Sequence, residues 1–337
     1  MDIVLGVDGG STKTVALAAD LDGRILGIGR GGSSNWEMTG FEPAVKVIRT
    51  CLDHALRMAG VMDGRIVFSH IGLSGLDWPS DLAMFHQALS PLLQPGGLVL
   101  ENDAYLGIRA CSPDGCGIGV GAGSGMCACI IPQEGSSFVY GGFTDLGGGM
   151  DIDDRTIQAV VRAEDGRGEP TALTGLLLGA AGCPDVRELI YSFCRKRLVI
   201  SSTVLRPLLF TSAERGDRAA AGIVKGFAAE LALCAVNLIN RYQLAAEAIT
   251  VVAAGSLFTS TGSLLFDTFQ RLILQTAPFA QVIKADRQPV LGALRAALQA
   301  CGHDSPLIQE NLRQTMPGEE WFQTAAIIAG KGSNHVL

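Results

Sequence analysis

The sequence has few charged residues and no block of basic ones. Charged residues make up 18% of the 337 positions, and 26 lysines and arginines stand against 33 aspartates and glutamates, for a net charge of −7. Nucleic-acid-binding proteins usually carry a clustered positive surface. The sequence therefore argues against a nucleic-acid partner. A polyanionic ligand would have to be bound locally by backbone N–H groups, a metal ion and a few cationic side chains.

The sequence also lacks a secretory signal and paired cysteine motifs. Met1 to Gly6 leads directly into a predicted strand, without a basic segment, an apolar stretch and a cleavage site. The nine cysteines are scattered without a Cys-x-x-Cys pair, which favours buried thiols in a reducing compartment over metal ligands. The most apolar stretches, Cys116 to Ile131 and Ala248 to Phe258, are interrupted by glycine and serine, as in buried strands. We therefore expect a cytoplasmic protein without a membrane partner.

What the sequence has in abundance is apolar residues and glycine. Apolar residues account for 48% of the chain, which excludes a disordered protein, and the 43 glycines follow no fixed period, which excludes a collagen-like one. Glycine allows tight turns and close approach of the backbone to a ligand. A chain of this length and composition is expected to form two domains.

The first 109 residues predict half of an actin-like fold. Three short apolar runs, Ile3 to Val7, Thr14 to Ala19 and Arg24 to Gly29, are separated by tight turns and predict an antiparallel meander. An apolar stripe at helical spacing follows from Phe41 to Gly60. A strand at Ile66 to Leu73, a helix and a further strand then predict a mixed sheet with crossover helices.

The same pattern begins again near Gly117, after a boundary that we place between residues 109 and 114. Two strands around a glycine turn, a third strand, several helices and a strand at Ile249 to Ala253 predict a second domain. We therefore expect an α/β protein of two actin-like (ribonuclease H-like) domains, each a mixed five-stranded sheet with flanking helices, and an active site in the interdomain cleft. The expected segments are a first domain, 1–109, a second, 110–300, and a tail, 301–337, packing back on the first.

The most informative motif lies between the first two predicted strands and reads Gly6-Val7-Asp8-Gly9-Gly10-Ser11-Thr12-Lys13-Thr14. Gly9 and Gly10 allow backbone N–H groups to reach phosphate oxygens, and Asp8 at a strand end is placed to hold a hydrated Mg²⁺. Hydroxyl donors and a cation for the same phosphates come from Ser11, Thr12, Lys13 and Thr14. The turn leads into a strand, so the motif is neither a Walker loop nor a dinucleotide fingerprint, and an ordinary hairpin is the alternative.

Two further glycine turns are predicted to contact the same ligand. Gly121-Ala122-Gly123-Ser124-Gly125 lies at the corresponding place in the second meander, which makes it a candidate for an opposing phosphate clamp. Such a turn is common in any fold, so the motif alone is weak. The strand ending in Ala253-Ala254-Gly255-Ser256 has small residues that suit a flat purine lying against the backbone.

Two segments carry candidate groups for an acceptor molecule. Asp103, in Glu101-Asn102-Asp103-Ala104, follows a predicted strand and is the candidate general base for phosphoryl transfer to a hydroxyl. A helix-capping aspartate is the alternative for this residue. Asn35 and Trp36 follow a glycine loop and offer an amide and an indole to a sugar, although the Trp36 indole is equally suited to anchor the loop by packing.

These segments, with Gly141-Gly142-Phe143, occur in the order found in the BadF/BadG-type ATPase family of the actin-like superfamily. They resemble its N-acetylglucosamine and glucosamine kinase members over most of the chain, to about Gln299. The resemblance implies ATP and Mg²⁺ as cofactors and N-acetylglucosamine, phosphorylated at its 6-hydroxyl, as substrate. We also expect a homodimer.

The resemblance also implies a role for each motif. Asp103 is the base, the two glycine turns bind the ATP phosphates, and Gly255 with Ser256 faces the adenosine. The implied sugar contacts come from both halves of the chain: Asn35, Trp36, Asn102, Asp103, Gly142, Phe143 and Asp145.

Two positions depart from the family pattern. The usual Gly-Thr-Gly-Ser is Gly121-Ala122-Gly123-Ser124 here, and the loss of one hydroxyl donor to a charged group costs roughly 1.5–3 kcal/mol of binding. The usual Asp-Glu pair near Gly147 is absent, and Asp145 or Asp151 is a candidate to replace it.

Three alternatives stay open from the sequence. The first is a kinase of glucosamine or another amino sugar, and the second is a sugar-binding sensor with weak or no turnover. The third is an activating ATPase that serves an iron–sulfur cluster. Relatives of that kind carry a cysteine-bearing loop and a Gly-Gly-Gln-Asp motif, and the sequence contains neither.

Overall fold

A computed structural model of the protein describes six stretches of the chain: residues 1–61, 64–93, 96–123, 125–140, 148–259 and 262–322. They form two five-stranded mixed sheets of the same plan, in which an antiparallel meander is extended by two parallel strands. This architecture confirms the predicted fold class. From edge to edge, the first sheet consists of the strands Ile25–Gly31, Thr14–Asp20, Asp2–Gly9, Arg65–Leu73 and Gly97–Asn102, and the second of Gln281–Lys284, Thr250–Ala254, Gly117–Ala122, Met126–Ile131 and Phe138–Val139.

The first sheet is covered on one face by a long helix that lies unusually close to it. A Cβ added to Gly29 would lie 1.8 Å from the Cys51 carbonyl oxygen, and one added to Gly27 would lie 2.1 Å from that of Ala55. Glycine at these positions therefore lets the helix backbone touch the strand. The strands and helices of this half are β1 (Asp2–Gly9), β2 (Thr14–Asp20), β3 (Ile25–Gly31), α1 (Trp36–Thr39), α2 (Phe41–Met58), β4 (Arg65–Leu73), α3 (Pro79–Leu89), β5 (Gly97–Asn102) and α4 (Ala104–Cys111).

The second sheet is packed against a larger set of helices that share one apolar core with it. Its strands are β6 (Gly117–Ala122), β7 (Met126–Ile131), β8 (Phe138–Val139), β9 (Thr250–Ala254) and β10 (Gln281–Lys284). Its helices are α5 (Gly149–Glu164), α6 (Leu173–Ala181), α7 (Val186–Cys194), α8 (Ser202–Glu214), α9 (Arg218–Arg241), α10 (Ser256–Thr259) and α11 (Leu264–Thr276).

The helix α9 is long and apolar enough, by length and composition, to span a membrane, with a mean hydropathy of 1.7 over its most apolar window. Its side chains at Val224, Phe227, Leu231 and Leu238 are buried in the core of the second sheet. A helix with this composition is also what the centre of a globular domain requires.

After β10 the chain crosses back to the first sheet. Helix α12 (Pro289–Ala300) packs on β1, β4 and α4, and a Cβ added to Gly6 would lie 2.6 Å from the Leu294 backbone nitrogen. Helix α13 (Pro306–Gln314) and the residues up to Phe322 pack with α12 in one apolar cluster on the first sheet. The expected division at residue 300 thus places α12 with the wrong sheet. We infer that one domain comprises 1–111 with 289–322, and the other 117–284.

A buried arginine connects the two chain segments that pass between the sheets, one at residues 109–113 and the other leading into α12. Arg295, on α12, is 4% exposed and donates from Nη1 to the carbonyl oxygens of Arg109, Ala110 and Ser112, at 2.8, 3.1 and 3.2 Å. Its Nη2 donates to Pro113 at 3.2 Å. Carbonyl oxygens at the end of a helix have no partner within the helix and carry partial negative charge. The guanidinium therefore caps the end of α4 and fixes the chain that leads into β6.

We expect Arg295→Met to lower the free energy of unfolding by about 3 kcal/mol or more, because several buried carbonyl groups lose their donor. Urea unfolding of the purified protein measures this effect. Arg287→Met is the matched control, since Arg287 makes a single 3.1 Å bond to the Ala110 carbonyl and its side chain is 45% exposed. Equal losses in the two variants would contradict the proposed role of Arg295.

Candidate active site

The first phosphate-binding motif forms the hairpin between β1 and β2. Gly10 N donates to the Lys13 carbonyl at 2.9 Å and closes the turn, and Ser11 and Thr12 are exposed at its tip. A Cβ added to Gly9 would lie 2.4 Å from Ser34 Oγ, so glycine is required there for packing. The hairpin thus presents the hydroxyl groups of Ser11 and Thr12 at its tip, whereas the N–H of Gly10 is used to close the turn.

Two other members of the motif are already engaged within the protein. Thr14 is fully buried, and its hydroxyl donates to the Gly32 carbonyl and is hydrogen-bonded to the Ser34 hydroxyl, both at 2.8 Å. Lys13 Nζ donates to the carbonyl oxygen of Phe322, and burial lowers the pKa of this ammonium, with Asp8 acting in the opposite direction. The structure therefore gives Thr14 a structural contact and places the Lys13 ammonium on the C-terminal segment.

Asp103 lies at the junction of β5 and α4, and its carboxylate makes no capping hydrogen bond to the helix. Asn102 provides the cap, because its Oδ1 accepts from Ala104 N at 2.9 Å and its Nδ2 donates to Asp77 Oδ1 at 2.7 Å. The Asp103 carboxylate therefore does not provide the side-chain cap of α4, although the backbone N–H groups of Asp103 and Ala104 lie close enough to act on its pKa.

Three carboxylates influence one another at this end of the first sheet. Burial, together with the negative charges of Asp8 and Asp77, raises the pKa of Asp103 to about 7, while backbone N–H groups at the start of α4 act against this. Burial also raises the pKa of Asp8 to about 6, opposed by Lys13. A carboxylate whose pKa lies near neutral pH is suited to accept a proton in general-base catalysis.

The donor set fits a magnesium ion that is held mainly by phosphate and water. In the part of the chain that the structure describes, no three His, Cys, Asp or Glu side chains cluster as a protein-only metal site. Mg²⁺ is commonly bound by one or two carboxylates together with substrate phosphates. Asp8, at the end of β1 beside the hairpin, meets that requirement.

Asn35 and Trp36 are held against a turn that follows β4. Asn35 caps α1, since its Oδ1 accepts from Glu37 N at 3.0 Å, and its Nδ2 donates to the hydroxyls of Ser11 and Ser74 at 3.0 and 3.1 Å. The Trp36 indole donates to the Gly75 carbonyl at 2.6 Å. The amide of Asn35 thus lies at the hairpin, whereas the Trp36 N–H anchors its loop.

The turn at residues 74–77 brings Ser74 and Asp77 to the site, and neither residue was predicted from the sequence. A signal was present, because the turn follows a parallel strand next to β5, and the carboxyl ends of neighbouring parallel strands meet at one edge of a sheet. Beneath this edge Glu101 accepts from His70 Nε2 at 2.8 Å and from Arg109 Nε at 2.7 Å. Burial raises the pKa of Glu101, but these hydrogen bonds outweigh it and leave the pKa below its usual value.

The second glycine turn lies against the end of β9. Gly123 N donates to the Gly125 carbonyl at 2.9 Å, and the Ala122 side chain is buried in the apolar core. Gly255 has φ +96°, and a Cβ there would lie 2.3 Å from the Ala122 carbonyl oxygen. The predicted phosphate and adenosine turns are therefore in contact. Four predicted site residues lie outside the described ranges: Ser124, Gly142, Phe143 and Asp145.

A cavity of about 450 Å³ opens beside these turns, between α8 and the start of α10. Pro207, Phe210 and Leu257 give it apolar walls, and Ser256 lies at its edge. Its partly apolar lining is of the kind found in small-molecule binding sites. The sequence predicted Ser256 but missed α8, because a helix carrying no motif gives no local signal of the cavity that it lines.

The two five-stranded sheets of one plan have the actin-like fold. The model of the BadF/BadG/BcrA/BcrD ATPase family matches residues 5–297. The chain therefore belongs to that family.

Relatives with assigned activities cover most of the chain at low identity. An N-acetylmuramic acid/N-acetylglucosamine kinase of Clostridium acetobutylicum is 25% identical over 89% of this chain and 100% of its own length. An N-acetyl-D-glucosamine kinase of Dictyostelium discoideum is 26% identical over 89% of this chain and 98% of its own length. A proposed N-acetylglucosamine kinase from Chromobacterium violaceum, of known structure, has a TM-score of 0.62 and 23% identity over 88% of this chain and 99% of its own, which supports the fold.

We expect the Asp103 carboxyl group to titrate with a midpoint near pH 7, protonated below it and ionised above it. Carboxyl-carbon NMR of the protein without ligands measures this midpoint. Asp8→Asn removes a negative neighbour and should lower it, whereas Asp53→Asn, on the exposed side of α2, should leave it unchanged. A midpoint near 4 in the wild-type protein would contradict this assignment.

Proposed function

We propose that the protein transfers the γ-phosphate of ATP to a hydroxyl group of an amino sugar, N-acetylglucosamine at its 6-hydroxyl being the first choice. The observation that carries the proposal is the position of Asp103. Asn102 takes over the cap of α4, so the Asp103 carboxylate is left at a strand end with a pKa near neutrality. A base with that pKa, beside a glycine hairpin, suits phosphoryl transfer to an alcohol.

In this proposal the nucleotide lies along the second sheet and extends toward the first. The base occupies the cavity beside Ser256, and backbone N–H groups of the two glycine turns bind the phosphates, with hydroxyl donors from Ser11 and Thr12. Asp8 holds the Mg²⁺ ion, which supplies charge neutralisation at the phosphates. Asp103 accepts the proton of the attacking hydroxyl, while Asn35, Asn102 and Asp77 orient the sugar.

The names of the relatives support an amino sugar as the acceptor. They are kinases of N-acetylmuramic acid, N-acetylglucosamine or, in a Vibrio cholerae relative that is 25% identical over 72% of this chain, glucosamine. Glucosamine is therefore the second candidate. Trp36, Gly142, Phe143 and Asp145 stay predicted sugar contacts, and the homodimer, the cytoplasmic location and the absence of nucleic-acid and membrane partners stay predictions.

Two neighbouring cysteines of β7 are not prepared as ligands of an iron–sulfur cluster, which favours a kinase over a cluster activator. Cluster ligands are thiolates, so a thiol has to lose its proton when it binds iron. Burial raises the pKa of Cys127 to about 12 and that of Cys129 well above its usual value. These thiols are therefore held in the neutral form by their surroundings.

We expect purified protein with Mg·ATP to release ADP in the presence of N-acetylglucosamine or glucosamine. Asp103→Asn should lower kcat by about 10²- to 10⁴-fold, because the proton acceptor is lost. A coupled ADP assay measures turnover, and calorimetry checks that the variant still binds the sugar. Asp53→Asn is the matched control. Turnover that does not exceed the Asp103→Asn background with any amino sugar would overturn the kinase proposal, and sugar binding without turnover would favour a sensor.

We expect Asn35→Asp to raise the KM for the sugar by roughly tenfold, because the donor that holds the hydroxyls of Ser11 and Ser74 is lost and a charge is added, with a smaller effect on the KM for ATP. Aspartate is as good a helix cap as asparagine, so α1 should be retained and the melting temperature little changed. Steady-state kinetics and a thermal scan measure both effects. Asn240→Asp, at an exposed position of α9, is the control. An unchanged KM for the sugar would remove Asn35 from the sugar site.

A further inference from the structure

The cavity beside α8 has a basic side chain in its wall. Arg206 lines it together with apolar residues, and Glu214, farther along the same helix, accepts from Ser263 N at 2.7 Å. Among the residues that line the described cavity, Arg206 is the sole cationic side chain. Arg206 belongs to none of the sequence motifs.

The guanidinium of Arg206 is held in a fixed orientation. Asp153, on α5, accepts from its Nε at 3.1 Å and from its Nη2 at 3.0 Å, and the two side chains are 16% and 11% exposed. Ser202 donates to the same carboxylate at 2.5 Å. Within the described ranges Nη1 of Arg206 makes no hydrogen bond, so the N–H groups of Nη1 are left to donate to a ligand.

The same guanidinium lies beside the second glycine turn. A Cβ added to Gly149 would lie 2.3 Å from Arg206 Nη2 and 2.5 Å from the Gly123 carbonyl oxygen. Gly149 N also donates to this carbonyl at 2.9 Å. Arg206 therefore stands where the cavity meets the turn, which is where the base-binding and phosphate-binding parts of a nucleotide site would join.

A nucleotide in this cleft needs a cation on the side of the second sheet. Asp8, Asp77 and Asp103 add negative charge on the side of the first sheet, and the Lys13 ammonium is bonded to the Phe322 carbonyl. The Ala122 side chain is buried and offers no donor. A fixed arginine is well suited to phosphate because its donors are preorganised.

We propose that Arg206 binds a phosphate group of the nucleotide, donating from Nη1 at the junction between the cavity and the second glycine turn. The proposal deepens the proposed function and rests on its nucleotide site. Asp153 is a positioning residue that sets the orientation of the guanidinium. Arg206 thereby supplies a donor to the phosphates on the side of the turn where the side chain of Ala122 supplies none.

The test is calorimetric titration of the full-length protein with adenosine and with ADP, without sugar. In Arg206→Met the Kd for ADP should rise about ten- to one-hundredfold, as for a lost hydrogen bond to a charged group, while the Kd for adenosine changes less than about twofold. The Kd of Arg206→Lys for ADP should lie between those of the wild-type protein and Arg206→Met, since lysine retains the charge but not the planar set of donors. Arg162→Met, at an exposed position of α5, should match the wild-type protein.

A buried, unpaired Asp153 could unfold the single variant, so Arg206→Met combined with Asp153→Asn is measured beside it. The proposal is overturned if ADP and adenosine weaken equally, which would mark a purely structural arginine, or if the wild-type protein binds no ADP. Selective loss of ADP binding without any sugar-dependent turnover would support this proposal and defeat the kinase proposal. Sugar-dependent turnover with unchanged ADP binding in the variants would support the kinase proposal and overturn the role of Arg206.

Discussion

The hydrogen bonds of Asn102 determine what Asp103 can do. A residue that opens a helix normally caps it, and aspartate is a preferred cap. Here the amide oxygen of Asn102 accepts from Ala104 N, and its nitrogen donates to Asp77, which fixes which way the amide faces. The Asp103 carboxylate is thereby left uncommitted to capping and exposed to the charges of Asp8 and Asp77. The raised pKa of Asp103 follows first from its burial and then from the charges of Asp8 and Asp77.

The two sheets share one plan but divide the chemistry between them. The end of the first sheet brings together three carboxylates, two hydroxyls and the Asn35 amide, a set that suits a proton acceptor, a metal ion and a polyhydroxy acceptor. The second brings glycine turns, an apolar cavity and a fixed arginine, a set that suits a base and its phosphates. A repeated strand order can therefore carry different ligands, because the residues at the strand ends are free to differ.

The sequence predicted the fold and the location of the turns because both depend on local patterns. Alternating strands and glycine turns are visible within a few residues, and the two meanders lie where they were predicted. Side-chain partners were harder to foresee. The bonds of Thr14 to Gly32, of Lys13 to Phe322 and of Trp36 to Gly75 join segments that are distant in sequence. Local patterns predicted ligand contacts for Thr14 and Lys13 and left Trp36 open between a sugar contact and a loop anchor. They missed α12 on the first sheet for the same reason.

Helix α4 links the candidate base to the joint between the domains. Asp103 stands at its start, and the Arg295 guanidinium caps its end. One side of α4 packs on α12, while Tyr105 and Ile108 on the other side pack on Cys129 and its neighbours in the second sheet. Helix α4 therefore contacts both sheets, and the position of the Asp103 carboxylate at its start depends on packing from both.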